Sequence, residues 1–144
     1  MAGVMTSKVA DNIVVYTSMV ADLFHIGHLR LLERAKSLGT SLIVGVITDE
    51  CVVNYKGRRP VFSQEERLAI VSSISYVDHA VLQYERDGTQ SASQFNQIDY
   101  IVRGNDVILP KERDFIESKG GKYVLLPRTS GISTTSIIKK ILTS

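Results

Sequence analysis

His25 and His28 stand three residues apart in Ala21-Asp22-Leu23-Phe24-His25-Ile26-Gly27-His28, with Gly27 between them. An apolar run, Ile13-Val14-Val15-Tyr16, precedes this stretch and reads as a buried strand. After it, Leu29, Leu32, Ala35 and Leu38 fall at helical spacing. The histidines therefore belong at a strand-to-helix turn. In a parallel α/β sheet such turns gather at the carboxyl ends of the strands, where ligands bind. The helix that begins there offers unpaired N–H groups and about half a positive charge to an anion. Gly27 lets a phosphate come close to the backbone. The chemistry implied is the holding of nucleotide phosphates, set against a plainer reading of two histidines capping a helix.

Two further groups carry the same chemistry. Tyr55-Lys56-Gly57-Arg58-Arg59-Pro60 is a basic, glycine-containing stretch after the second strand. A lysine there can swing onto phosphates and offset charge that develops in a transition state, or it can simply face water. Arg128-Thr129-Ser130-Gly131-Ile132-Ser133-Thr134-Thr135 brings a fork of donors, a permissive turn and three hydroxyls to a helix start. Ser133 at that start is also a natural N-cap. Asp22 suits a bond within its own turn, and Gly104-Asn105-Asp106 ends the fourth strand. Lys139 and Lys140 complement a helix dipole.

The elements that must position these groups follow from periodicity. Ser41 to Ile47 is a continuous apolar run suited to a strand buried on both faces, and it completes a βαβ unit with a right-handed crossover. Gly39 is the expected C-cap of the first helix, and Asp49 to Phe62 reads as a polar loop. Ser63-Gln64-Glu65-Glu66 has the form of a capping box, opening a helix to about Ile74. Strands are expected at 77–82, 100–103 and 123–126, with a loop over 83–93, a short helix over 92–97 and a longer one over 111–119 closed by Gly120-Gly121. Ile137, Ile138, Ile141 and Leu142 form the apolar side of a last helix. This alternation predicts a doubly wound parallel α/β sheet of about five strands with flanking helices. Residues 1–12 lack periodicity and read as a flexible lead-in to a single domain over 13–144. The ends of the first, fourth and fifth strands carry His25/His28, Asn105/Asp106 and Arg128/Ser133, which a parallel sheet gathers on one rim.

Bulk properties narrow the function classes. A net charge of +2 and the lack of a lysine- or arginine-rich run argue against nucleic acid. No apolar run is long enough to span a membrane. Cys51 stands alone, so no disulfide framework or zinc spacing exists, and a reducing, cytoplasmic setting is the simplest fit.

The His25-Ile26-Gly27-His28 turn resembles that of the nucleotidyltransferase superfamily, whose fold is Rossmann-like. Arg128-Thr129, Gly131 and Ile132-Ser133-Thr134-Thr135 resemble the segment with which cytidylyltransferases contact CTP. The likeness runs from about Ile13 to Leu142, and Leu31 to Lys36 with Tyr76-Val77-Asp78 are most similar to glycerol-3-phosphate cytidylyltransferases. The resemblance implies that His25, His28 and Lys56 are catalytic and that Lys56 and Arg58 meet the acceptor substrate. It further implies nucleotide contacts at Val20, Ala21, Gly27, Asp106, Arg128, Thr129, Gly131, Ile132, Ser133, Thr134 and Thr135. CTP, a phosphorylated small-molecule acceptor, Mg²⁺ carried with the nucleotide, and a homodimer are implied in the same way. Where the family has Gly-Thr-Phe-Asp, this chain has Met19-Val20-Ala21-Asp22; Asn105 replaces an aspartate, and Ser75 an arginine. Lys56-Gly57 with Arg59-Pro60-Val61 and the stretch Ser133 to Lys140 also look like the adenylyltransferase half of heptose-phosphate enzymes. Arg128-Thr129 and Ile132 favour cytidine. The lost threonine, phenylalanine and arginine suggest a further alternative, a nucleotide-binding module without catalysis.

Overall fold

The computed structural model describes residues 12–105 and 107–144. Five strands, β1 (Val14–Met19), β2 (Ser41–Ile47), β3 (His79–Gln83), β4 (Tyr100–Gly104) and β5 (Lys122–Leu126), make one sheet. Their order is β3-β2-β1-β4-β5, and every neighbouring pair is parallel. The chain steps outward from β1 to β2 and β3, then returns to β4 and leaves through β5. Strand order thus reverses between β1 and β4, and a crevice opens beyond their carboxyl ends.

Alternate strand residues feed two apolar layers, as the two-residue side-chain period requires. Val15, Leu42, Val44, Val46 and Val102 pack on one face with α1 (Ile26–Ser37) and α3 (Gln64–Ser72), through Leu32, Ala35 and Val71. Tyr16, Ile43 and Ile101 pack on the other face with α4 (Thr89–Ala92) and α5 (Pro110–Ser118), through Ala92 and Ile116. With α2 (Asp49–Lys56) and α6 (Thr134–Thr143), six helices flank the sheet among the described residues. The architecture is the Rossmann-like doubly wound sheet that the alternation predicts.

The details differ in several places, the third strand for one beginning at His79 rather than at 77. The polar stretch 49–62 is helical over its first half: Thr48 caps α2 by accepting from the Cys51 amide at 3.3 Å, Asp49 and Glu50 sit at its positive end, and Gly57 closes it. Polarity had masked these end signals. The short helix expected at 92–97 lies instead at 89–92, and the first helix closes on Leu38 rather than Gly39. β1 continues to Met19, since Thr17 and Ser18 are buried and hydrogen-bonded on the sheet. Ser63 and Glu66 form the expected capping box. Residues 1–11 of the lead-in lie outside the described residues; Asn12, its last, accepts a hydrogen bond from Gln97 Nε2 at 2.7 Å through its backbone carbonyl.

Candidate active site

The histidine turn is built by hydrogen bonds from distant parts of the chain. Beyond β1, Ala21 and Leu23 adopt left-handed backbone angles, φ 59° and 49°, a conformation that costs a non-glycine residue about 1–2 kcal/mol. Asp22 lies between them and holds the distorted turn in place. Its carboxylate accepts from the amides of Val61 and Phe62 at 2.8 and 2.9 Å, and its carbonyl accepts from Thr134 Oγ1 at 2.7 Å. The structural role expected of Asp22 is present, but it reaches across the cleft rather than within its own turn.

His25 is the N-cap of α1, and its Nδ1 accepts from the Gly27 amide at 3.0 Å. His28 Nδ1 accepts from the His25 amide at 3.1 Å. A neutral imidazole that accepts at Nδ1 carries its proton on Nε2, so each ring keeps one N–H for a ligand. The capping and ligand readings of these histidines thus describe two edges of the same rings. The ring centroids are 3.9 Å apart, and Phe24 stacks on His28 at 5.3 Å. A Cβ on Gly27 would come within 2.8 Å of His25 Cε1, so only glycine lets the ring fold over the helix start. Burial, then the neighbouring His25, pushes His28 down to about 3, outweighing the opposing pull of Asp22. Burial and the Arg128 charge lower His25 too. Both rings are neutral donors near pH 7.

Lys56 comes from the last turn of α2, where Tyr55 offers its ring to two cations: Arg86 Cζ at 4.8 Å and Lys56 Nζ at 5.9 Å from the centroid. Burial, then Arg58 and Arg86, lowers the Lys56 ammonium below its ordinary value, with Asp22 opposing. Arg67 fixes this side of the cleft from beneath. Fully buried, it donates from Nη1 to the carbonyls of Val20 and Ile47, both at 2.7 Å, and from Nε to Phe62 at 3.0 Å. Its Nη2 meets Asp49 Oδ1 at 2.6 Å.

The third wall precedes α6. Gly131 turns the chain at φ 80°, and Ser133 caps the helix by accepting from the Ser136 amide at 3.0 Å. Arg34 Nη1 donates to the Pro127 carbonyl at 3.1 Å, tying this segment to α1.

These walls enclose a cleft of about 390 Å³. Val20, His25, Gly27, His28, Lys56, Arg58, Arg128, Thr129, Ile132, Ser133, Thr134 and Thr135 all line it, so the structure brings together most of the residues singled out in the sequence. Ala21 does not: it is buried in the core and shapes the turn from behind. Gly131 shapes a turn likewise, and Asp106 lies outside the described residues. Tyr76 and Asp78 serve packing, since Tyr76 OH bonds Glu33 Oε2 at 2.9 Å, and Asp78 accepts from Lys36 Nζ and from the Leu42 amide.

The cleft also takes in Ser18, Tyr55, Arg86 and Arg103, which the motifs did not single out. The available signal was position: Arg103 lies at the carboxyl end of a predicted strand, and Arg86 follows another. Among the described residues no three His, Cys, Asp or Glu side chains cluster as a metal cage, and the Asp22 oxygens are engaged by amides. The described donor set suits anions; Mg²⁺ would have to be held chiefly by triphosphate oxygens and water.

A family described as cytidylyltransferase-like matches residues 20–140. Bifunctional protein HldE of Citrifermentans bemidjiense is 35% identical over 91% of this chain, which spans 27% of that protein. Ethanolamine-phosphate cytidylyltransferase of Mus musculus is 39% identical over 84% of this chain, which spans 30% of that protein. The chain therefore spans less than a third of these two relatives' length. A lipopolysaccharide core biosynthesis protein from Thermoplasma volcanium GSS1 superposes with a TM-score of 0.72 at 30% identity, covering 82% of this chain and 98% of that one.

Proposed function

Because the chain belongs to the cytidylyltransferase-like family, we propose that it transfers CMP from CTP to a small phosphomonoester, releasing pyrophosphate. The observation that carries this reading is the pair of neutral imidazoles, each with no hydrogen-bond partner for its Nε2–H among the described residues, facing Lys56 and Arg128 across one cleft. An oxygen of the acceptor phosphate would attack the α-phosphorus in line. The bond from that phosphorus to the bridging oxygen breaks as the new one forms, and the electron pair leaves with pyrophosphate. No proton need move, so the chain's contribution is positioning and charge stabilisation.

His25 and His28 would donate from Nε2 to the phosphates. Lys56 would meet charge on the α-phosphate, and Arg128 with the start of α6 would hold the β- and γ-groups. Mg²⁺ bound to the triphosphate would supply further charge neutralisation. Glycerol 3-phosphate is the first acceptor to try, on the strength of the sequence resemblance. A homodimer in a cytoplasmic setting completes the proposal.

The experiment is pyrophosphate release with CTP or ATP against phosphorylated polyols, aminoalcohols and sugars. Release with CTP and one acceptor supports the reading. The likeness to HldE motivates a second one, and release only with ATP and a sugar phosphate would move the assignment to adenylyl transfer. CTP binding with no release across the panel would support the non-catalytic module.

A further inference from the structure

Two arginines of the cleft, Arg86 and Arg103, have no part in holding the nucleotide as assigned above. Arg103 rises from β4 and is 6% exposed, yet its direction is fixed. Glu112, fully buried, accepts from Nε at 2.8 Å and from Nη2 at 2.6 Å. The same carboxylate accepts from the Gly88 amide at 2.6 Å and from Tyr123 OH at 3.0 Å, so it is saturated and cannot follow a moving partner. One edge of the guanidinium is thereby held, and Nη1 is its nitrogen without an acceptor among the described residues. Arg103 Nη2 also donates to the Arg86 carbonyl at 3.0 Å, which docks the Arg86 backbone beside it. The Arg86 side chain then lies over Tyr55, the ring that Lys56 also approaches.

Charge decides what this end of the cleft accepts. Arg86 has no ion-pair partner among the described residues. Asp22 is the one acidic side chain among the described residues lining the cleft, and two backbone amides occupy its oxygens. An ammonium group entering here meets Arg86, Lys56 and Arg58 with no described carboxylate available to it. A phosphate meets a guanidinium fork, a second fixed guanidinium and a lysine.

We propose that Arg86 and Arg103 form the acceptor subsite, binding the phosphate of a polyol or sugar phosphate that carries no amino group. Lys56, which approaches the same Tyr55 ring as Arg86, would stand next to this phosphate. The proposal rests on the cytidylyl-transfer reading, and the experiment separates the two. Calorimetry with CTP comes first: wild-type protein that does not bind CTP removes the parent reading and this one with it.

Steady-state kinetics then use CTP with glycerol 3-phosphate, further polyol and sugar phosphates, and phosphoethanolamine. Wild type should favour an amino-free acceptor over phosphoethanolamine by at least about tenfold in kcat/KM. Arg86→Gln, at an exposed position, should raise the acceptor KM about tenfold with CTP affinity held within about twofold. Arg103→Lys keeps a cation opposite Glu112 but loses the two-point fork, so its melting temperature should fall; in the fraction that stays folded, shown by retained CTP binding, the acceptor KM should rise the same way. Preference for phosphoethanolamine, an unchanged acceptor KM in Arg86→Gln, or no turnover with any amino-free phosphate while CTP still binds would overturn the subsite and leave the nucleotide reading standing.

Discussion

His25 and His28 each use one nitrogen to build the helix start and keep the other for a ligand. A substitution that removes the ring removes both. His28→Ala and Lys56→Ala should each lower turnover by at least ~10²-fold, a size typical of deleting one donor to a developing charge. Near-wild-type turnover in either would remove that residue from the catalytic set. The depressed His28 pKa has a second consequence. The folded ring stays neutral down to about 3, whereas an unfolded histidine takes up its proton near 6.5. Between those values the unfolded chain binds more protons, so stability rises with pH there. The contribution is complete above about 6.5 and is lost as pH falls towards 3. Between pH 5 and 6.5, above the range of most carboxylates, denaturant midpoints should fall with acid in wild type and stay flatter in His28→Gln. Equal slopes would mean that the imidazole is not held neutral.

At the scale of elements, the cleft depends on Arg67 of α3, which joins the ends of β1 and β2 to the start of α2 and the loop before α3. Arg67→Met leaves three carbonyls without this donor and Asp49 without its buried partner. It should cost about 3–5 kcal/mol, the range for breaking a buried pair. A loss under about 1 kcal/mol in urea unfolding would show that packing alone sets this frame. In the sequence Glu66-Arg67 stands out only as part of the stretch that resembles the family's lysine-bearing loop; nothing local shows that Arg67 would be buried and join four segments. The strands, their parallel sense and the histidine turn were legible because hydrophobic period and end chemistry are local properties. α2 was legible in principle, from Thr48, Asp49-Glu50, Lys56 and Gly57, but its polar composition read as loop. Arg103 with Glu112 and Asp22 with Phe62 were not legible, since each pairing exists only once the sheet has brought separate segments together.

Across the whole molecule, the switch between β1 and β4 lets both faces of the sheet contribute to one cleft. The histidines come from the layer of α1, whereas Arg103 projects with the layer of α5 and is held by Glu112. α6 differs from the long helices in both layers, because none of its residues is buried and Ile141 and Leu142 are 64% and 79% exposed. Its start is nevertheless tied to the centre of the site through Thr134 and Asp22. An element with little buried apolar contact opens at low free-energy cost. A ligand that bridges α1 and the start of α6 makes each opening of α6 break ligand contacts. Hydrogen exchange should therefore find the α6 amides among the fastest of the helical ones without ligand. CTP should slow them by more than it slows α3, which lines no part of the cleft. Protection spread evenly over all helices would indicate global stabilisation by mass action alone. Protection confined to α1 would place the triphosphate away from Arg128 to Thr135 and remove that segment from the nucleotide site.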